Sequence, residues 1–416
     1  MSDRRRRWAA SHGVVRGTVR RRARAGVADA VLADEETGAD ERQVAWAELR
    51  AHRPFAEGAL PGTLVTVHHD VAREVLASRA FAMPPPPSGT DGPPGPQHRP
   101  SLIALDGDDH VRHRARLSRA FTPRALTAWS DEAARIADDL LDDLPGTAGD
   151  GGVVDLVAGY AHPLPLRLIT AFLGLTRPLP AGLPRWSDSV VAALDTGMSF
   201  ERFAAIEDDL SALQTWLRGE LGHASGLLGR LADENPDDDP DELVVTAMFL
   251  LAAGFETTTH LLSTGAVALT AHPGQAALLA VEPDRWPDAV DELLRLEGPV
   301  TRAARRAVCD VEVAGTTVPA GTLVLVHVSA TGHDPAVFPD PSRFDVRRPN
   351  VRAHLAFSHG PHHCLGAGLA RMEAATGLAA LFRRFPRLTP VGAGERRPTT
   401  LVSGRATLPV HLGAPA

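Results

Sequence analysis

The chain has 416 residues, 44 % of them apolar, with a formal net charge of −8 and only two cysteines. There is ample material for a large core, the acidic balance argues against nucleic-acid binding, and two cysteines exclude a disulfide framework, so a reducing cytoplasm is expected. All 43 basic residues are arginine, which the codon bias of a high-GC bacterial genome explains better than an arginine-specific function.

The N-terminus, RRRRWAASHGVVRGTVRRRARAG, is basic with no apolar stretch behind it, so it is not a signal peptide. Residues 1–40 read as an arginine-rich, solvated extension or first helix ahead of one domain over 41–416. Val71–Ala80 reads as a helix, and Met83–Pro100, rich in Pro and Gly, as a long surface loop of the binding kind. Asp108–Leu144 is helical with a break at Pro123; Leu164–Leu175 and Phe200–Ala232 are further helices. Asp237–Pro273 reads as one long helix, with acids and a proline at its start, apolar nearly all round and therefore buried. Its most apolar run, Leu243–Phe255, ends at Glu256 and is too short to span a bilayer, so no transmembrane anchor is expected. Val311–Ser329 alternates like strands with Gly turns, and a last helix runs from about Leu365 to Phe385. The result is a mainly helical chain with a small β region.

FSHGPHHCLG, Phe357 to Gly366, carries the chemistry. Zinc is the first reading of Cys beside His, but consecutive residues such as His362, His363 and Cys364 cannot easily converge on one small ion, and CxxC or HxxxH spacing is absent. A single thiolate can instead be the one axial ligand of a haem. Gly360 lets the loop turn before the cysteine, and Gly366 lets the next helix lie close to a flat macrocycle. A cysteine at that helix start is expected to favour thiolate.

These residues resemble the cytochrome P-450 (haem-thiolate) monooxygenases. Phe357, Gly360, Cys364 and Gly366 match F-x-x-G-x-x-x-C-x-G, and His362 matches the basic residue that meets a haem propionate. Ser358 departs from the glycine that the family often carries. Three further motifs follow the family's order. ELLR gives Glu292 and Arg295, a structural-core pair that is joined by a later arginine, here matched by Arg343 in PDPSRFD. AGFETT places Gly254, Glu256 and Thr257 as A-G-x-[DE]-T, the oxygen-activation motif. DGDDHVRHRARLSRAFTPR resembles the helix whose His110 and Arg114 reach one propionate. Arg305 is the further propionate partner by position, with Arg302 and Arg306 close enough to compete. The likeness covers roughly Arg42 to Pro409. Cys309 matches no motif and reads as a buried or strand-edge thiol.

The resemblance implies one helical domain with haem b between the long helix and the cysteine loop. It implies insertion of one atom of O2 into a C–H bond or alkene of an apolar small molecule, such as a natural product, terpenoid, polyketide or lipid. The chain ends soon after the last helix, so a separate ferredoxin or flavodoxin and its reductase would bring electrons from NAD(P)H. A monomer is expected. A peroxide-using peroxygenase of the same fold and a non-catalytic haem carrier are the competing readings; the acid–threonine pair counts against both. Phe81, the Met83–Pro100 loop, Leu179–Phe200 and Phe255 are the expected pocket lining. Ala253 and Gly254 leave room beside the helix for oxygen and a water that Thr257 holds, its hydroxyl bonding back to the Ala253 carbonyl, while Glu256 relays protons by swinging between partners. Arg112, Arg116, Arg119, Arg352 and His359 are the expected docking face for an acidic electron donor.

Overall fold

A computed structural model describes residues 3–33, 37–84, 100–175, 177–237 and 239–414. The loop expected over Met83–Pro100 therefore lies largely outside the described residues. Helices dominate. Helix α1 (Asp3–Trp8) and α2 (Val14–Arg24) open the chain, and strands β1 (Ala56–Glu57) and β2 (Thr63–Thr66) begin the larger sheet. Next come α3 (His69–Ala77), β3 (Phe81–Ala82) and α4 (Gly107–Ser118). The break expected at Pro123 is real: Pro123 is the first residue of α5 (Pro123–Asp143), and the Thr122 hydroxyl caps it by accepting from the Ala125 N–H.

Helices α6 (Pro163–Leu173), α7 (Leu183–Ala192) and α8 (Phe200–Glu220) pack in turn on the long helix α9 (Pro240–Ala271). The expected helix over 200–232 divides in two, because Gly226 takes a left-handed φ of 54° before a separate helix, Gly226–Glu234. Helix α9 starts where Asp239 accepts from the Asp241 N–H, with Pro240 in the first turn. By length and composition it could cross a bilayer, yet 67 % of its most apolar window is buried inside the protein. It runs through the main core with α5, α6, α10 (Trp286–Glu297) and the last helix, α11 (Ala367–Arg384).

The five-stranded sheet has the order β1-β2-β5-β4-β3, with β4 at Ala303–Ala307 and β5 at Leu323–Val326. Only β2 and β5 are parallel, Thr63 opposite Leu323. A hairpin, Val311–Val313 with Thr316–Val318, stands beside it, and the segment expected to stay extended to Ser329 turns helical at Val328–Thr331. The sheet has its own core, which includes Phe81 at 6 % exposure, packed with Val71, Val75 and Val324. Phe81 is therefore a sheet-core residue and not a pocket wall.

One structural motif needs correcting. Glu292 and Arg295 of α10 do pair, at 2.7 Å, and both are buried. The third member is Arg348, whose Nε lies 3.1 Å from both Glu292 carboxylate oxygens. Arg343, the residue expected from its position, turns its side chain outward to Asp345 at 3.7 Å. It contributes its backbone carbonyl, which accepts from Arg295 at 3.1 Å and from Arg348 at 2.8 Å.

Candidate functional site

The cysteine loop is shaped by close backbone approach. Gly360 has φ 72°, and a Cβ there would lie 2.6 Å from the Cα of Ala77 and from the Leu76 carbonyl in α3. Ser358 is also left-handed, φ 63°, which explains why glycine is the usual residue and assigns serine a cost of about 1 kcal/mol. The Cys364 N–H donates to the Phe357 carbonyl at 2.8 Å and closes the loop. The Arg371 guanidinium lies over the Phe357 ring, 4.4 Å from its centre. A Cβ on Gly366 would meet only Phe121 Cε1, at 4.0 Å, so the start of α11 presents an open face.

Cys364 is exposed, yet its surroundings push the thiol above its ordinary pKa. Burial pushes it up, while the Gly366 N–H at the helix start pulls toward thiolate as expected, helped by Arg114 and Arg371, without outweighing the burial. A bound metal cation would deprotonate it. Among the described residues no three of His, Cys, Asp and Glu gather to hold a metal ion. Cys309 is exposed and sits in the bend after β4, so it is not a buried thiol.

Beside the cysteine loop four basic side chains converge. His110 of α4 and His362 of the loop have ring centres 4.3 Å apart. Burial lowers the pKa of both, and Arg114 lowers each further. His362 Nε2 meets Asp106 at 3.0 Å, the one carboxylate at the cluster among the described residues. Arg305 is 4 % exposed and reaches the Met83 sulfur and the Ala304 carbonyl, with no ion pair among the described residues. Arg114 likewise has no ion pair there. Arg302 turns to Thr400 and Asp195, and Arg306 to the Gly321 carbonyl, so of the three arginines it is Arg305 that stands at the cluster. Arg114, Arg305 and two histidines against one carboxylate suit a ligand carrying two carboxylates of its own.

The middle of α9 divides its side chains between two surroundings. Ala253 is exposed, and the Thr257 hydroxyl donates to the Ala253 carbonyl at 2.9 Å. Gly254 does something other than expected: a Cβ on it would lie 2.8 Å from Ile169 Cδ1, so its bareness serves the crossing of α6 and α9, and Ala253 alone supplies the open side. Phe255 is fully buried, edge-on to the His162 ring at 4.6 Å, and is core packing instead of pocket lining.

Glu256, 1 % exposed, enters a polar cluster that the sequence did not reveal. Arg397 Nη1 lies 3.1 Å from Glu256 Oε1 and 2.9 Å from Asp188 of α7. His260, one turn along α9, is 3.8 Å from Glu256. Burial raises Glu256 to about 7 and Asp188 to about 6 against the pull of Arg397, and lowers His260 to about 3. Glu256 Oε2 is buried with no hydrogen-bond partner among the described residues. Only the acid itself carried a sequence signal; its arginine lies 141 positions away in an irregular segment.

Around the cysteine loop, Arg112, Arg119 and Arg352 are exposed, while Arg116 donates to Asn235 at 2.7 Å. Arg112 is matched by Asp109 at 2.5 Å, and Arg352 by Asp291 at 3.6 Å and Asp288 at 3.7 Å. Burial lowers the pKa of His359. The expected positive face is thus largely neutralised, with Arg119 lacking an ion pair among the described residues.

The sequence model of the Cytochrome P450 family matches residues 287–409. The putative cytochrome P450 140 of Mycobacterium tuberculosis is 37 % identical, covering 98 % of this chain and 97 % of its own length. The 6-deoxyerythronolide B hydroxylase of Saccharopolyspora erythraea is 36 % identical over 74 % of this chain and 76 % of its own. The ligand-free structure of CYP164A2 from Mycobacterium smegmatis superposes with a TM-score of 0.79 at 30 % identity, covering 91 % of this chain and 98 % of that one. The chain belongs to the cytochrome P450 family and is a monooxygenase of the oxidoreductase class.

Proposed function

We propose that the protein holds haem b through Cys364 and inserts one atom of O2 into an apolar small molecule, by hydroxylation or epoxidation, in the cytoplasm. The hydroxylase named among its relatives favours natural-product tailoring. Electrons would come from NAD(P)H through a ferredoxin or flavodoxin and its reductase, with Arg119 the strongest contact for an acidic donor. The observation that carries this reading is the convergence of His110, Arg114, Arg305 and His362, with a single carboxylate, beside the loop of Cys364.

Bound haem supplies the reductive activation and scission of O2. The chain's residues supply its setting. Cys364 Sγ would be the iron ligand, and the four basic groups would meet the propionates. Thr257 Oγ1, its proton committed to the Ala253 carbonyl, offers lone pairs to a water at the open side of α9. Glu256 Oε2, without a hydrogen-bond partner among the described residues and on a carboxyl that burial raises to about 7, is the atom that takes and gives the proton. Its carboxylate faces Arg397, so service to Thr257 requires the side chain to turn. The test is the absorption of the carbon-monoxide-bound ferrous protein. Cys364→Ala should lose the thiolate-type band and Cys309→Ala should keep it; the reverse would refute the ligand assignment.

A further inference from the structure

Asp291 stands next to Glu292 on α10, is fully buried, and belongs to a second cluster. Its Oδ1 accepts from Arg371 Nε of α11 at 2.7 Å and from His354 Nε2 at 3.0 Å. His354 Nδ1 accepts from the Ala356 N–H at 3.2 Å, so the ring proton lies on Nε2 and the ring brings Asp291 a hydrogen bond without a charge. Arg352 approaches the carboxylate from outside at 3.6 Å, but its side chain is 72 % exposed and also faces Asp288, so solvent screens it. Burial raises the Asp291 carboxyl; the bonds from His354 and Arg371 outweigh this and hold it below its ordinary pKa. The charges at the centre of the cluster are thus one carboxylate and one guanidinium.

The cluster closes on the cysteine loop. The Arg371 guanidinium lies over the Phe357 ring, 4.4 Å from its centre, and the same ring meets His354 at 5.9 Å and His363 at 6.4 Å. The Phe357 carbonyl in turn accepts the Cys364 N–H at 2.8 Å. Arg371 is also felt at Cys364 itself, where its positive charge favours the thiolate. Asp291 does two things to that charge. It fixes where the guanidinium stands, through the bond to Nε, and it offsets part of the field that reaches the sulfur.

We propose that Asp291 is a positioning residue: through Arg371 it sets the electrostatic field at Cys364 Sγ, and with it the electron affinity of the haem that this sulfur would hold. This rests on the reading of Cys364 as the iron ligand. A merely structural Asp291 would steady the loop and no more, and the two roles differ in sign. Losing the carboxylate charge leaves Arg371 in excess and favours the reduced haem, which carries one more negative charge. Losing the guanidinium charge leaves Asp291 in excess and favours the oxidised haem. Losing a brace would instead move both variants in the same direction.

The test uses the full chain with haem and reads the ferric–ferrous midpoint potential by spectroelectrochemical titration. Asp291→Asn is the direct probe, because both bonds go to Oδ1, which asparagine keeps, so the charge alone is lost. The potential should move positive, by about tenfold in the ratio of ferrous to ferric protein, or about 59 mV. Arg371→Met keeps the stem and should move it negative by a similar step. The double variant should return close to the unaltered protein. Arg371→Lys keeps a charge near the same place and should also stay close to it, which keeps the proposal testable should Asp291→Asn fail to fold. Single variants that shift in the same direction and add in the double would overturn the proposal. So would an unmoved potential in Asp291→Asn, or an Arg371→Lys shift equal to that of Arg371→Met. Failure of the haem-ligand reading shows separately, as the lack of a thiolate-type carbon-monoxide band in the unaltered protein before any variant is compared.

Discussion

Arg348 closes on Glu292 with its Nε 3.1 Å from both carboxylate oxygens, while Arg295 grips the same carboxylate at 2.7 and 2.8 Å. Two guanidiniums share one buried anion, and the excess charge is spread over the carbonyls of Gly332, Pro339, Pro341 and Arg343. Arg348 also donates to the carbonyls of Pro339, Asp340 and Arg343, so removing it strips buried acceptors of their donor and Glu292 of one of its two cations. Arg348→Ala should therefore cost about 3 kcal/mol of unfolding free energy. Arg343→Ala, whose side chain is 65 % exposed, should stay within about 0.5 kcal/mol. Urea denaturation of the two variants side by side decides between the arginines.

The sequence made Glu292 and Arg295 legible because a helix puts i and i+3 on one face. The third arginine was misplaced by five positions, since in an irregular segment spacing says nothing about which side chain turns inward. The same limit hid Arg397: nothing in GERRPTT distinguishes one arginine from its neighbour until the fold brings it to α9. Phe81 and Phe255 were misread for a different reason. A large apolar residue near a motif is as useful to a core as to a pocket, and the burial that decides between them is tertiary. By contrast the positions of Gly360, His110 and His362 were legible, because a loop squeezed against α3 tolerates few residue types and the two histidines meet beside it.

Glu256 makes a prediction about stability. Burial lifts it from 4.5 to about 7, so between those values the folded chain keeps a proton that the unfolded chain has released. Stability from this group is then lost as pH rises through that window, by at most about 3 kcal/mol. Glu256→Gln has no such proton. The unfolding free energy of the unaltered protein relative to the variant should be highest near pH 5 and should fall toward pH 8. Asp188, at about 6, is raised by burial and in part by Glu256 itself, so its own slope should shrink in the variant and add to the difference. Parallel curves from pH 5 to 8 would mean that Glu256 does not titrate in this range.

Electron delivery should distinguish paired from unpaired arginines. Arg112 is offset by Asp109, whereas Arg119 has no ion pair among the described residues. Arg119→Glu should slow reduction by an acidic ferredoxin more than Arg112→Glu does, with substrate affinity unchanged in both. The rate in the unaltered protein should fall with added salt. Equal effects and no salt dependence would remove this face as the docking site.

Thr257 carries the last prediction. Its hydroxyl donates to the Ala253 carbonyl at 2.9 Å, a back-bond that ties up the proton and leaves the oxygen's lone pairs facing the open side of the helix. In this state it can hold a water while its own proton is committed; on the proposed function the proton comes from Glu256, one residue earlier, whose Oε2 has no hydrogen-bond partner among the described residues. Removing the hydroxyl therefore breaks the path between acid and substrate oxygen without touching Cys364 or the basic cluster. Thr257→Ala should keep haem content and substrate affinity, and NADPH should still be consumed. Product per NADPH should fall by about 10²-fold, the lower end of what general acid–base catalysis supplies, with hydrogen peroxide making up the difference. Thr257→Ser keeps an oxygen in place and should recover most of the coupling. The measurement is product, peroxide and NADPH counted in one reaction. A Thr257→Ala ratio equal to that of the unaltered protein would show that this hydroxyl only packs the helix, and the proton would then need another route to the open side of α9.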